Sequence, residues 1–402
     1  KKSGAHNHVY CQRAASNMKR AEQERRASTL MDPTATPCKG LGIVDFLKDK
    51  NFLVTGATGF VAKVLVEKIL SVQPDVGKIF LVIKAKDSLS ALERVKNEVM
   101  NKEIFNVIQK SYGNGYKDFI LERLVPVVGD MTEDNLGIEP DVADMLLKEV
   151  DIIVSSAANT TFDERYDFSL EMNTRGVSRL MEFGKRCKRV QLFMHISTAY
   201  ANRQIHGPAL EKLLHMGDSE AMDIESEFNL AKNTIADIEA EVADFQKSSS
   251  LDVIDSNKML TQRMRDLGIA RARKFGWQDT YGLTKAMGEM LLVNERGDLP
   301  VVILRPSIVE STFSSPFPGW IEGHRMLDPI ISHYGKGQLG GLFADPNTIL
   351  DLVPVDMVVN ATLAAVAKHA GKPGIHVYHV ASSVANPIKL QHVVEAIFEH
   401  FK

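Results

Sequence analysis

The chain reads as an α/β protein built on a doubly wound parallel sheet. From Lys50 onward short β-rich runs alternate with segments of helical period, and that alternation calls for a parallel sheet covered on both faces. The first run, in "FLVTGATGFVAK", stops at two glycines and restarts with helical spacing, which is a strand-to-helix turn at the edge of such a sheet. A long polar insertion later in the chain leaves this pattern, and the pattern then resumes.

Taken in order, strands are expected in "NFLVT", "KIFLVI", "RLVPVV", "DIIVSS" and "VQLFMHIS". Helices are expected in "AKVLVEKIL", near Ser90 to Asn101, and in "VSRLMEFGKRC". From Glu211 to Gly276 the chain is mostly polar with helical period, through "AKNTIADIEAEVADFQK" and "KMLTQRMRDLGIARARKFG". That is too long for a connection and predicts an inserted helical cap over 205–278. Strand-like "VVILRP" resumes at Val301, Pro/Gly loops follow in "SPFPGW" and "YGKGQLGG", and "VDMVVNATLAAVAKHA" reads as a helix. "GIHVYHVASS" reads as a last strand and "IFEHFK" as part of a helix. The resulting division is a tail over 1–40, a dinucleotide-binding core over 41–204, the insertion, and a segment over 279–402 that completes the core and adds a small substrate-binding region.

With 402 residues, 44% hydrophobic and 25% charged, the chain has the means to bury a large core. A net charge of -3 argues against a nucleic-acid binder, and no run reaches the roughly 18 apolar residues of a membrane span. The cysteines Cys11, Cys38 and Cys187 are odd in number, widely spaced and without a C-x-x-C pair, so neither a disulfide framework nor a zinc site is expected. Cys187, in "KRCKRV", has no companion pattern of His or carboxylate and is expected to pack. Residues 1–31 carry seven Lys/Arg against two Glu and no apolar h-region, which fits the remnant of an organelle transit segment or a disordered basic tail.

Gly56 and Gly59 fall between strand and helix, where bare backbone lets N–H groups approach a pyrophosphate. The candidate loop is Thr55, Gly56, Thr58, Gly59, Phe60 and Val61, although a tight turn would use glycine for steric reasons alone. The second strand ends in Lys84 and Lys86, where an NAD-preferring site places an acid for the ribose 2′-hydroxyl, so a 2′-phosphate and NADPH are favoured. Asp130 follows the third strand, placed to accept from an adenine amine. Ser156, Ala157 and Ala158 follow the fourth, small enough for a cofactor ribose to lie close.

Tyr281 and Lys285 stand four apart in "DTYGLTKAMGEML" and share a helix face. A nearby ammonium stabilises a phenolate, so the pair is expected to have a lowered tyrosine pKa and to act as proton donor to a carbonyl oxygen that has received hydride. Ser197 and Thr198 end the fifth strand at the carboxyl edge, where one hydroxyl can bond the reacting oxygen and the other cap the next turn. Asn173, on the helix after strand four, is a candidate to hold a water in a relay to Lys285.

Together these residues resemble the extended short-chain dehydrogenase/reductase superfamily, whose core is a Rossmann fold. More narrowly, "TGATGF", "SAANTTFDERYD", "STAYAN", "YGLTKAMGEM", "RPSIVEST" and "PFPGWIEG" are similar to the plant fatty acyl reductases, the plastid male-sterility type above all. The resemblance runs from about Gly40 to the last residue and brings in Pro306, Ser307 and Ile308, around "LRPSIV", as cofactor contacts. It implies reduction of a long-chain fatty acyl thioester by NADPH to a primary alcohol through an aldehyde, for pollen-wall or cuticular lipid. The substrate is expected on acyl carrier protein, with coenzyme A as the alternative, in the plastid, with the cytoplasm or endoplasmic-reticulum surface as the alternative. Members usually continue into a further small C-terminal domain, before which this sequence stops.

The stretch Lys258 to Lys274 holds six Lys/Arg against one Asp, a candidate surface for an acidic carrier protein through Arg271 and Arg273. Two other readings stand beside the reductase. A sugar-nucleotide epimerase or dehydratase would keep bound NAD, against which the Lys84/Lys86 strand end counts. A cofactor-binding scaffold without turnover would have no use for the Tyr281/Lys285 pair.

Overall fold

The computed structural model describes residues 40–203, 207–216, 222–248 and 255–402, and the basic stretch over 1–39 lies outside them. The fold is that of the unit Ile43–Lys402. Six strands appear in the expected order: β1 (Phe52–Thr55), β2 (Ile79–Ile83), β3 (Leu124–Val128), β4 (Ile152–Ser155), β5 (Leu192–Ile196) and β6 (Val301–Pro306). Short β7 (Ile308–Glu310), β8 (Ile349–Leu350) and β9 (Leu352–Pro354) follow, then β10 (Ile375–Val380) and β11 (Ile388–Lys389).

Seven of these form one sheet in the order β10-β6-β5-β4-β1-β2-β3, with every pairing parallel. β1, β2, β4 and β6 are buried along their whole length, which is why they read as unbroken apolar runs rather than alternating ones. Helices lie on both faces and divide the apolar interior into two large clusters, one around Phe52, Val54 and Leu81, the other around Leu53, Phe80 and Phe193. Alternate residues of a strand point to opposite faces, so neighbours Phe52 and Leu53 fall in different clusters.

Beyond the sheet, β7 pairs with β9 and β8 with β11 to shape the C-terminal region. The two-residue β8 and β11 are set by pairing partners distant in sequence, so nothing local predicts them.

The insertion is helical as expected, with helices Ile224–Ser248 and Ser256–Phe275. It packs on the helix Thr280–Glu295 and on Tyr166 and Leu170, forming a third apolar cluster with Met264, Phe275, Leu283 and Met287. A buried bridge ties it down: the Tyr166 hydroxyl donates to Glu227 Oε2 at 2.8 Å, and Arg271 Nε donates to the same oxygen at 2.8 Å. The expected cap is a buttress among the described residues, because its apolar faces are spent on the back of that helix. Arg271, expected as a docking cation, is turned into this bridge, while Arg273 and Lys274 remain exposed.

Candidate active site

The strand order reverses direction between β1 and β4, and in open α/β sheets ligands bind at such a switch, outside the carboxyl ends of the strands. A cavity of about 590 Å³ opens there. Its floor is the glycine loop. Gly56 has φ +69°, and a Cβ on it would stand 2.8 Å from the Ala157 backbone, so this position needs glycine both for its conformation and for the close approach of two chain segments. A Cβ on Gly59 would meet the Gly56 carbonyl at 3.0 Å. Gly59 caps the 13-residue helix Phe60–Val72, so the positive end of that helix faces the bare loop. Such a cradle fits a pyrophosphate.

Thr58, Phe60 and Val61 line the cavity beside the two glycines, with Ala157 and Ala158 on the facing wall and Pro306, Ser307 and Ile308 at the end of β6. Thr55 does not reach it. Its hydroxyl accepts from the N–H groups of Ser156 and Ala157, both at 3.1 Å, and so pins the β4 loop against the glycine loop. Lys84, Lys86 and Asp130 meet in a second, smaller cavity of about 380 Å³. There the Lys84 ammonium lies 2.6 Å from Asp130, whose carboxylate also accepts from Thr132 N and Oγ1 at 2.9 and 2.8 Å.

The helix Thr280–Glu295 starts where Asp279 accepts from Gly282 N at 2.7 Å, and this cap sets Tyr281 and Lys285 toward the cavity. The Thr198 hydroxyl stands beside the phenol, near enough to pull its pKa down. Burial pushes Tyr281 up to about 12, against the pull of Thr198 and with a push from Asp279. The expected lowering by Lys285 is therefore corrected: the pull on the phenol comes from Thr198, burial outweighs it, and the phenol keeps its proton at neutral pH. Burial brings Lys285 down to about 8 in spite of Glu289. Its Nζ donates to the Ile196 carbonyl at 2.9 Å and lies 3.3 Å from His195 Nε2.

The two hydroxyls at the end of β5 have different partners. Thr198 lies beside Tyr281 and also caps the turn Ala199–Ala201, its Oγ1 accepting from Tyr200 N at 3.2 Å, so the expected division of one hydroxyl for the site and the other for the cap is corrected; Ser197, though it borders the cavity, donates to Glu289. Glu289 is in turn gripped by Arg305, whose Nε reaches both carboxylate oxygens at 3.0 and 3.1 Å and whose Nη2 reaches one at 2.5 Å, all fully buried.

Asn173 sits in a π-helical turn, Leu170–Arg175, a distortion that often marks a functional position. Its Oδ1 accepts from Asn159 N at 2.8 Å, and its Nδ2 donates to Asn159 O and Thr284 Oγ1 at 3.0 and 3.1 Å. The side chain is buried and its contacts fix the Asn159 loop and the Tyr281 helix. Lys285 is not among its hydrogen-bond partners. Cys187 is buried, hydrogen-bonded to the Phe183 carbonyl, and burial pushes its thiol up to about 12, which matches the packing reading.

Sequence reasoning missed His195, Glu289 and Arg305. Glu289 continues the four-residue step from Tyr281 through Lys285, and His195 shares strand parity with Ser197, but neither spacing names a partner. Also missed were His324 and Arg325, from the loop before Asp328, which border the cavity.

Residues 54–362 match the model of an NAD-binding family described as male sterility protein. The chain is 49% identical over 380 residues to chloroplastic fatty acyl-CoA reductase 2 of Arabidopsis thaliana, covering 90% of this chain and 59% of that one. It is 41% identical over 362 residues to the alcohol-forming fatty acyl-CoA reductase of Simmondsia chinensis, covering 89% of this chain and 72% of that one. Among solved structures, the reductase domain of a non-ribosomal peptide synthetase from Mycobacterium tuberculosis superposes with a TM-score of 0.58 at 20% identity, over 90% of this chain and 76% of that one. That likeness is one of fold alone.

Proposed function

The chain belongs to the male sterility protein family, and from that premise we propose that it reduces a long-chain fatty acyl thioester to a primary alcohol with NADPH. The observation that carries this reading is the convergence of Thr198, Tyr281 and Lys285 on one cavity whose floor is the bare glycine loop.

When bound, the nicotinamide supplies hydride to the substrate carbonyl. Thr198 and the phenol together offer hydrogen bonds to the oxygen as it gains charge. Tyr281, protonated at neutral pH, gives its proton to that oxygen, and the ammonium of Lys285 stabilises the phenolate left behind. The hemithioacetal releases thiol and becomes aldehyde, Tyr281 regains a proton, and the same groups serve the second reduction to alcohol. Glu289, Ser197 and Arg305 hold the strand end and the helix in register without touching the substrate.

Lys84 and Lys86 support NADPH over NADH, since a 2′-phosphate at the smaller cavity would find two cations there. The chloroplastic relative supports the plastid as its place. The names of both relatives give coenzyme A as the carrier, and acyl carrier protein, with pollen-wall or cuticular lipid as the destination, is the reading we infer from the plastid placement alone. Replacing Lys84 and Lys86 together by glutamate tests the cofactor reading. NADPH affinity measured by fluorescence should fall roughly tenfold or more while NADH affinity changes little; equal effects on both would remove the 2′-phosphate from the account.

A further inference from the structure

The lysine of the catalytic helix has a partner that no motif singles out. Lys285 offers three N–H donors. One is taken by the Ile196 carbonyl at 2.9 Å, and Lys285 borders the cavity, so one side of the ammonium stays open to it. Behind it stands His195, completely buried on β5, with Nε2 3.3 Å from Lys285 Nζ and Nδ1 3.1 Å from Ser155 Oγ.

An ammonium has no acceptor, so the ring nitrogen facing it must be the unprotonated one. The imidazole proton then sits on Nδ1 and is donated to the Ser155 hydroxyl. Burial, with the cations of Lys285 and Arg305 beside it, holds His195 well below its usual range, so the ring stays neutral. The charged and titratable groups facing Lys285 are Glu289 from its own helix and His195 from β5, while Arg305 on β6 faces the imidazole. Glu289 is engaged by Arg305 and Ser197, and the hydrogen bonds of Asn173 go elsewhere.

We propose that His195, fixed in one tautomer by Ser155, is the positioning residue that holds Lys285 charged and aimed at the cavity, in the place expected for Asn173. The proposal deepens the reductase reading and rests on it for its meaning in turnover. It also fixes the direction of proton supply. Ser155 is fully buried, so no exit lies behind the imidazole, and the proton that Tyr281 gives up returns from the cavity side.

The test is a pH titration of the full chain labelled with 13Cε-lysine, followed by NMR, with the Lys285 signal assigned by its loss in Lys285→Met. In the wild-type protein the midpoint should lie near 8. In His195→Leu, which removes both ring nitrogens, the charged form loses an acceptor and the midpoint should fall by about one pH unit or more. Ser155→Ala, a milder change that frees the tautomer, should move it in the same direction by less, and His195→Gln, which restores an acceptor, should recover part of the loss. The basic limb of kcat/KM should move with the midpoint. A shift below about 0.3 pH unit in both His195→Leu and Ser155→Ala would overturn the proposal, because a purely packing histidine leaves the lysine's titration alone. A moved midpoint in a protein that oxidises no NADPH with an acyl thioester would instead keep the pairing and remove the reductase reading.

Discussion

At the scale of single residues, the sharpest distinction lies between two adjacent hydroxyls. Thr198 lies beside the phenol and Ser197 donates to Glu289, so their alanine variants should fail differently. Thr198→Ala should lower kcat about 10²- to 10³-fold with little change in stability, the cost of a lost donor at a developing oxyanion. Ser197→Ala should leave kcat within a few-fold and lower the unfolding free energy by about 1–3 kcal/mol, since it strips a partner from a buried carboxylate. Steady-state kinetics beside denaturant melts separate the two. The pH dependence has a definite sign. On the proposed mechanism Tyr281 must be protonated and Lys285 charged, and burial brings Lys285 down to about 8, so kcat/KM should fall as pH rises through about 8, and a value that rises there would contradict the assignment. That the glycines, the two hydroxyls, Tyr281 and Lys285 share one cavity was legible, because each sits in a motif at a strand end or helix start of the sheet's carboxyl side. His195, Glu289 and Arg305 were not, because their roles exist only where β5, β6 and one helix meet.

At the scale of elements, the helix Phe60–Val72 carries a carboxyl where an apolar residue would be cheaper. Glu67 is 1% exposed, and burial raises it to about 7 despite a hydrogen bond from Ser71. Its folded pKa lies above its unfolded one, so the stability it contributes is present below about pH 4.5 and is lost as pH rises through about 7. Glu67→Gln should therefore match the wild type near pH 4 and exceed it by about 1–3 kcal/mol at pH 8, read from denaturant midpoints. The helix Thr280–Glu295 has its own constraint: a Cβ on Gly288 would stand 2.3 Å from the Asn173 carbonyl. Gly288→Ala should cost about 1–3 kcal/mol and lower kcat, because the helix that bears Tyr281 has to move off the π-helical turn. The strands of the sheet were legible as buried apolar runs, and the insertion as helical period. Where the insertion packs was not, since the Tyr166–Glu227–Arg271 bridge joins residues that no local pattern relates.

At the scale of the whole molecule, Arg273 and Lys274 are exposed cations in the last turn of the insertion's second helix, beside Arg271, which is spent inside. Reversing both charges should raise the apparent KM for acyl carrier protein substrate several-fold and leave that for the coenzyme A thioester unchanged, the mark of long-range complementarity rather than of chemistry. The central claim is that one cavity carries out both hydride additions with Tyr281 as the acid. It is tested most directly by supplying NADPH deuterated at the transferring position together with palmitoyl carrier protein, and reading the label in the product by mass spectrometry. The account predicts hexadecanol with deuterium in both of its C1 positions from the wild-type protein and none from Tyr281→Phe, whose NADPH affinity stays unchanged. Labelled alcohol formed at the wild-type rate by Tyr281→Phe, or a wild-type protein that oxidises no cofactor with either thioester, would contradict it.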